Sequence, residues 1–169
     1  MVDARFGRTV KRLGEILVER RLITPWQLEQ ALVEQQTTKE FLGTILLRMK
    51  LLSPPTLLAA LAEQFRLPTA SLSVDRVDWQ VAKHFPRSAL AGGKCFPIRA
   101  DAESVTVAIA NPLDVEALSD IGKAAGFREM HVVLVLEEEL RAVLRHYQQQ
   151  SLRALEEQLK GHGRPPQAH

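Results

Sequence analysis

The stretch RLGEILVERRLITPWQLEQALVEQ, Arg12 to Gln35, returns after Gln36–Glu40 as FLGTILLRMKLLSPPTLLAALAEQ, Phe41 to Gln64. Laid over each other without a gap, Leu13 and Gly14 meet Leu42 and Gly43, and Leu17 meets Leu46. Leu28 and Leu32 meet Leu57 and Leu61, and Gln35 meets Gln64. Two copies in one register mark a duplicated supersecondary unit. Such a unit offers two equivalent half-sites, which suits a ligand with two equivalent halves.

Each copy reads as a helical hairpin. Leu13, Ile16 and Leu17 have helical spacing and predict a helix over 12–20. Thr24, Pro25 and Gln27 form a capping-box start with proline at the first helical position, so a second helix runs to about Gln35. Leu28, Ala31, Leu32 and Gln35 share one face of it. The second copy predicts a helix from about Lys39 to Arg48, then another opened by Ser53-Pro54.

Composition changes at Arg66-Leu67-Pro68, and 67–78 reads as extended or irregular. Asp78 caps a short helix to about His84. Strands follow at Cys95–Arg99 and Val105–Ala110, joined by a turn at Ala100–Glu103. Asn111-Pro112 ends the second strand; Asp114–Ala124 reads as a helix, Met130–Leu136 as an apolar strand. A terminal helix starts at Glu137 and continues to about Leu159, before a tail, GHGRPPQAH, expected to be disordered and to form either a natural end or a linker. The fold class is α+β. A four-helix unit of two tandem hairpins (1–66) precedes a small α/β unit with a roughly three-stranded sheet (67–150) and a helical extension with tail (151–169).

Bulk properties narrow the function. The chain of 169 residues is 46% hydrophobic and 25% charged, which are globular values. Its 22 basic and 20 acidic residues leave a net charge of +2 without a long run of one sign, which argues against DNA or RNA as a partner. Cys95 stands alone, so neither an internal disulfide nor a thiolate zinc cluster is available. The start MVDARFGRTVKRLG lacks the apolar core of a signal peptide, and runs such as Leu57–Ala62 and Val132–Leu136 are too short to span a bilayer. A soluble, cytoplasmic protein without membrane insertion is expected.

The repeat carries the only constellation with chemical promise. The pairs Leu28/Leu32 and Leu57/Leu61, each four apart, can floor a site for a flat base. Gly14 and Gly43, at helix starts, leave room for a ligand to approach backbone N–H groups. Arg12 precedes the first glycine and suits a phosphate or a guanine edge; Gln35 and Gln64 close each copy with a donor and an acceptor. The same pattern also suits a plain helical core with close helix crossings, and residue chemistry leaves both readings open.

The two blocks resemble the tandem 24-residue motifs of the MshEN domain, the N-terminal region of type II secretion and type IV pilus assembly ATPases. The segment PIRADAESVTVAIANPLDVEALSDI, Pro97 to Ile121, is similar to a further stretch of that family, and the likeness spans about residues 8–148. The resemblance implies binding of cyclic di-GMP, a twofold ligand with two guanines and two phosphates. It assigns Arg12, Leu13, Gly14, Leu28, Leu32 and Gln35 to one half-site and Leu42, Gly43, Leu57, Leu61 and Gln64 to the other. The family's usual loop glycines are here Arg21 and Lys50, which either crowd the ligand or add phosphate contacts. The second motif opens on Phe41 rather than a polar residue.

An enzyme is not expected. The ATPase phosphate loop GxxxxGK[ST] does not occur, and Gly92-Gly93-Lys94-Cys95 has neither its spacing nor its hydroxyl. His84, His131, His146, His162 and His169 lack metal-ligand spacing, so neither metal nor cofactor is expected. Asp114 and Glu116 read as helix N-terminal acids, and Cys95 as a small buried hydrophobe. The reading is therefore a non-enzymatic regulatory module for cyclic di-GMP. The alternative is a nucleotide-independent module docking a secretion or pilus assembly protein at the inner membrane.

Overall fold

The computed structural model describes residues 11–87, 90, 92–126 and 129–161; the expected disordered tail falls almost wholly outside them. Four helices come first: α1 (Leu13–Glu19), α2 (Pro25–Thr38), α3 (Leu42–Arg48) and α4 (Pro54–Phe65). Thr24 caps α2, accepting from the Gln27 amide at 3.2 Å, while Gln27 Oε1 accepts from the Thr24 amide at 2.8 Å. Ser53 caps α4 in the same way, accepting from the Thr56 amide. These are the capping signals read from the sequence, and proline stands at the first helical position in both. Two boundaries differ: α2 runs to Thr38 rather than to about Gln35, and α3 starts at Leu42 rather than near Lys39, because Lys39 ends α2 in the left-handed conformation, φ 60°. A left-handed residue satisfies the final carbonyls of a helix and redirects the chain.

The linking segment is less irregular than its composition suggests. Thr69 bridges in parallel to Leu134, and Val74–Arg76 is a turn of 3-10 helix. Glu139 fastens this segment by accepting from the Leu72 amide and the Ser71 hydroxyl. Asp78 then caps α5 (Trp79–Ala82) through the Gln80 amide.

The sheet has the order β1 (Cys95–Ala100), β2 (Ser104–Ile109), β3 (Glu129–Leu134). β1 and β2 are antiparallel, from Cys95 opposite Ile109 to Ala100 opposite Val105. Their turn is held by the Asp101 carboxylate, which accepts from the Glu103 and Ser104 amides. β2 and β3 are parallel, from Ser104 beside Glu129 to Ile109 beside Leu134, and α6 (Val115–Ala125) makes the crossover a parallel connection requires. Val105, Val107, Ala108 and Ile109 of the central strand are all buried, so its apolar run is covered on both faces. The terminal helix α7 (Glu137–Gly161) packs on β1 and β2 with its first half. Its second half leaves Leu152, Leu155 and Leu159 exposed. One continuous core runs from Ile16, Leu17, Ile45 and Leu46 in the helical unit to Phe96, Ile109 and Val143 in the α/β unit. Among the described residues, no helix is long and apolar enough to cross a membrane.

Candidate ligand-binding cleft

The two hairpins share one packing device. A Cβ placed on Gly14 would stand 2.7 Å from Leu28 Cδ1, and one on Gly43 would stand 3.0 Å from Leu57 Cδ1. Carbon atoms in contact normally lie about 3.5–4.0 Å apart, so each glycine is the hole that receives the first of its own motif's paired leucines, Leu28 or Leu57. The repeated Gly and Leu are therefore partners across the hairpin. The hairpins also brace each other reciprocally, α1 against α4 and α2 against α3. Arg20 meets Glu63 at 2.7 Å and Arg48 meets Glu34 at 2.6 Å. Glu34 and Glu63 occupy the same place in the two copies.

Between the helical unit and the α/β unit lies a cleft of about 460 Å³. Seven of the residues singled out in the sequence line it: Leu13, Gln35, Leu42, Gly43, Leu57, Leu61 and Gln64. They come from both copies, with the second dominating. Gln35 also ties the α2–α3 connection, donating from Nε2 to the Glu40 carbonyl at 2.8 Å. The other four do not line it. Gly14 and Leu28 are engaged with each other, and Arg12 is exposed at the start of α1, its amide donating to Glu15. Leu32 is 41% exposed on α2, whereas its counterpart Leu61 is 9% exposed.

The opposite wall was not legible in the sequence. It brings Lys94, Asn111, Asp114, Glu137 and Arg141 to the second motif. Lys94 lies 3.0 Å from Asp114, and Arg141 pairs with Glu137 one turn earlier on α7. A basic residue after two glycines and an i,i+4 acid–base pair look like any solvated surface, so no local signal marks these positions. Asp114 does stand at the start of α6, yet its partner is Lys94 rather than the helix amides. A further hollow of about 320 Å³ continues the cleft, sharing Leu57, Leu61 and Arg141 and adding Leu58, Leu136 and Arg145. Cys95 is buried at the strand start, and burial pushes its thiol up to about 11, so it stays protonated and unreactive at neutral pH. Among the described residues, no group of three or more His, Cys, Asp or Glu side chains converges as for a metal.

A family profile described as the MshEN domain matches residues 65–154, more than half of the chain. The chain belongs to the MshEN domain family. These are N-terminal domains of secretion and pilus ATPases. A solved structure of MshE with cdg is similar to this MshEN domain at 28% identity and a TM-score of 0.73, over 81% of this chain and 99% of that one. That share exceeds what residues from 65 onward amount to, so the likeness reaches into the helical unit. The N-terminal domain of XpsE has the same fold, at 23% identity and a TM-score of 0.63, over 79% of this chain and 92% of that one. No curated protein sequence matches the chain.

Arg21 and Lys50, the loop positions at which the resemblance implies glycine, both hold the left-handed conformation, φ 57°. The backbone that glycine suits is thus kept by basic residues, at a cost of about 1 kcal/mol each. Phe41, 48% exposed, lines the cleft at the position where the first motif has Arg12.

Proposed function

We propose that this MshEN domain is a non-catalytic regulatory module that binds cyclic di-GMP. In this reading residues 1–66 carry the ligand motifs, 67–150 form the partner subdomain, and 151–169 form the C-terminal extension. One observation carries it: a single cleft is walled by equivalent residues of both motif copies, Gln35 with Gln64 and Leu13 with Leu42. Its volume of about 460 Å³ lies within the range of small-molecule sites. The cdg of the similar MshE structure supports the same ligand class. Leu57 and Leu61 offer an apolar floor for a base, and the glutamine amides offer hydrogen bonds at its edge.

Calorimetric titration of the full chain with cyclic di-GMP tests the reading. Saturable binding at sub-millimolar ligand is expected, and Gln64→Ala, which removes an amide from the cleft wall, should weaken it. Absence of binding by protein folded by circular dichroism refutes it. That result would favour the second reading, a nucleotide-independent module docking a secretion or pilus component. For this reading speaks the apolar surface of α2, where Trp26 is 67% and Val33 57% exposed.

A further inference from the structure

The two half-sites of the repeat are unequal in charge. The first opens on Arg12 and the second on Phe41, so the second copy lacks a cation of its own at that position. Phe41 nevertheless lines a cleft into which the opposite wall brings two cations, Lys94 and Arg141. We propose that Arg141 of α7 supplies the guanidinium that the second half-site lacks, and so binds the guanine edge or phosphate of a ligand resting on Leu57 and Leu61. The inference rests on the cyclic di-GMP reading and deepens it.

Arg141 suits this task better than Lys94 for three reasons. Its planar fork can meet two acceptors at once, either the O6/N7 edge of guanine or two phosphate oxygens, whereas an ammonium acts as a point charge. Its present partner, Glu137, is easily left: both side chains are largely exposed, 66% and 62%, and exposed pairs of this kind add little. Lys94, by contrast, neutralises Asp114, whose side chain is only 17% exposed, so recruiting Lys94 would strand a shielded carboxylate. Position adds a further point. Arg141 borders both the main cleft and its continuation, beside Leu57 and Leu61 in each.

The full chain and its variants, titrated calorimetrically with cyclic di-GMP, test this. Arg141→Gln should weaken binding by tenfold or more, while Arg153→Gln, on the exposed far part of α7, should leave affinity within twofold. Arg141→Lys should fall between them. In the decisive variant, Phe41→Arg is added to Arg141→Gln, giving the second motif the arginine of the first; binding should recover. Because Arg141 is exposed, all variants should keep the wild-type circular dichroism spectrum and melting temperature. Wild type that binds while Arg141→Gln binds equally overturns the inference and leaves the ligand reading intact. Weakening that Phe41→Arg does not repair overturns the compensation. Wild type that does not bind removes the ligand reading and this inference with it.

Discussion

Gly14→Ala tests whether the repeated glycine serves the hairpin or the ligand. The new methyl would stand 2.7 Å from Leu28 Cδ1 and 3.0 Å from Cδ2. Relief requires a separation of roughly 1 Å, since carbon contacts settle at about 3.5–4.0 Å. Crowding of this kind costs about 1–3 kcal/mol. Alanine returns at most about 1 kcal/mol of helix propensity, less here because Gly14 lies in the first turn. The net expectation is a loss of about 1 kcal/mol, or a melting temperature lower by about 2–4 °C for a chain of this size. Urea denaturation of four proteins — wild type, Gly14→Ala, Leu28→Ala and the double variant — isolates the contact. With Leu28 truncated the obstruction is gone, so Gly14→Ala should become neutral or mildly stabilising, a coupling of about 1–3 kcal/mol. If Gly14→Ala costs the same in both backgrounds, within about 0.5 kcal/mol, the contact does not exist as described. A glycine kept open only for ligand would give a variant stabilised in the absence of ligand.

Two further expectations concern the same repeat. Replacing both Arg21 and Lys50 by glycine removes two left-handed side-chain residues, φ 57° each. Relief of about 1 kcal/mol per site, partly offset by the entropy glycine gives the unfolded chain, should raise thermal stability by a few °C; a drop instead would show that these side chains hold the hairpins. Affinity for cyclic di-GMP in that variant should rise if the basic residues crowd the ligand and fall if they hold phosphate. Leu61→Ala should cost about 2–3 kcal/mol of stability and Leu32→Ala less than about 1 kcal/mol, because the first is 9% and the second 41% exposed. If both leucines floor a ligand site, both variants should lose affinity; Leu32→Ala binding as wild type would take Leu32 out of the site and leave Leu13 and Gln35 as the first motif's contribution.

Much of the fold was written in local signals. Thr24-Pro25 and Ser53-Pro54 state helix starts outright, because cap and proline each satisfy a requirement of the first turn. The apolar β2 and β3 segments and the Asp101 turn give the sheet in the same way. The start of α3 was misplaced because Lys39 carries no mark of a left-handed residue, and only its φ of 60° reveals that α2 ends there. At the cleft the motif residues were legible as a repeat, but repetition does not say which copies face inward. Burial decides that, and it separates Leu61 from Leu32 although both obey one pattern. Lys94 and Arg141 were invisible because their position depends on how the sheet packs on the helices, which no spacing encodes.

That packing also places the two copies of one motif in different surroundings. The second copy is covered by the α/β unit, so its leucines Leu57 and Leu61 are packed and cations can reach it from outside the repeat. The first copy is covered less, by way of Leu13 and Gln35 only: Leu32 and Val33 are exposed on α2, and the motif carries its own cation, Arg12. A phenylalanine at position 41 is therefore tolerable in a way that one at position 12 would not be under the ligand reading. The same geometry sets what binding would couple. A ligand held by Gly43, Gln64 and Arg141 touches the second hairpin and the beginning of α7 together. α7 is one continuous helix from Glu137 to Gly161, and a helix of that length carries a reorientation of its first turns along its axis for about 1.5 Å per residue. Its far end presents Leu152, Leu155 and Leu159 to solvent, so under the ligand reading the helix that borders the cleft also carries an exposed apolar stripe at its other end.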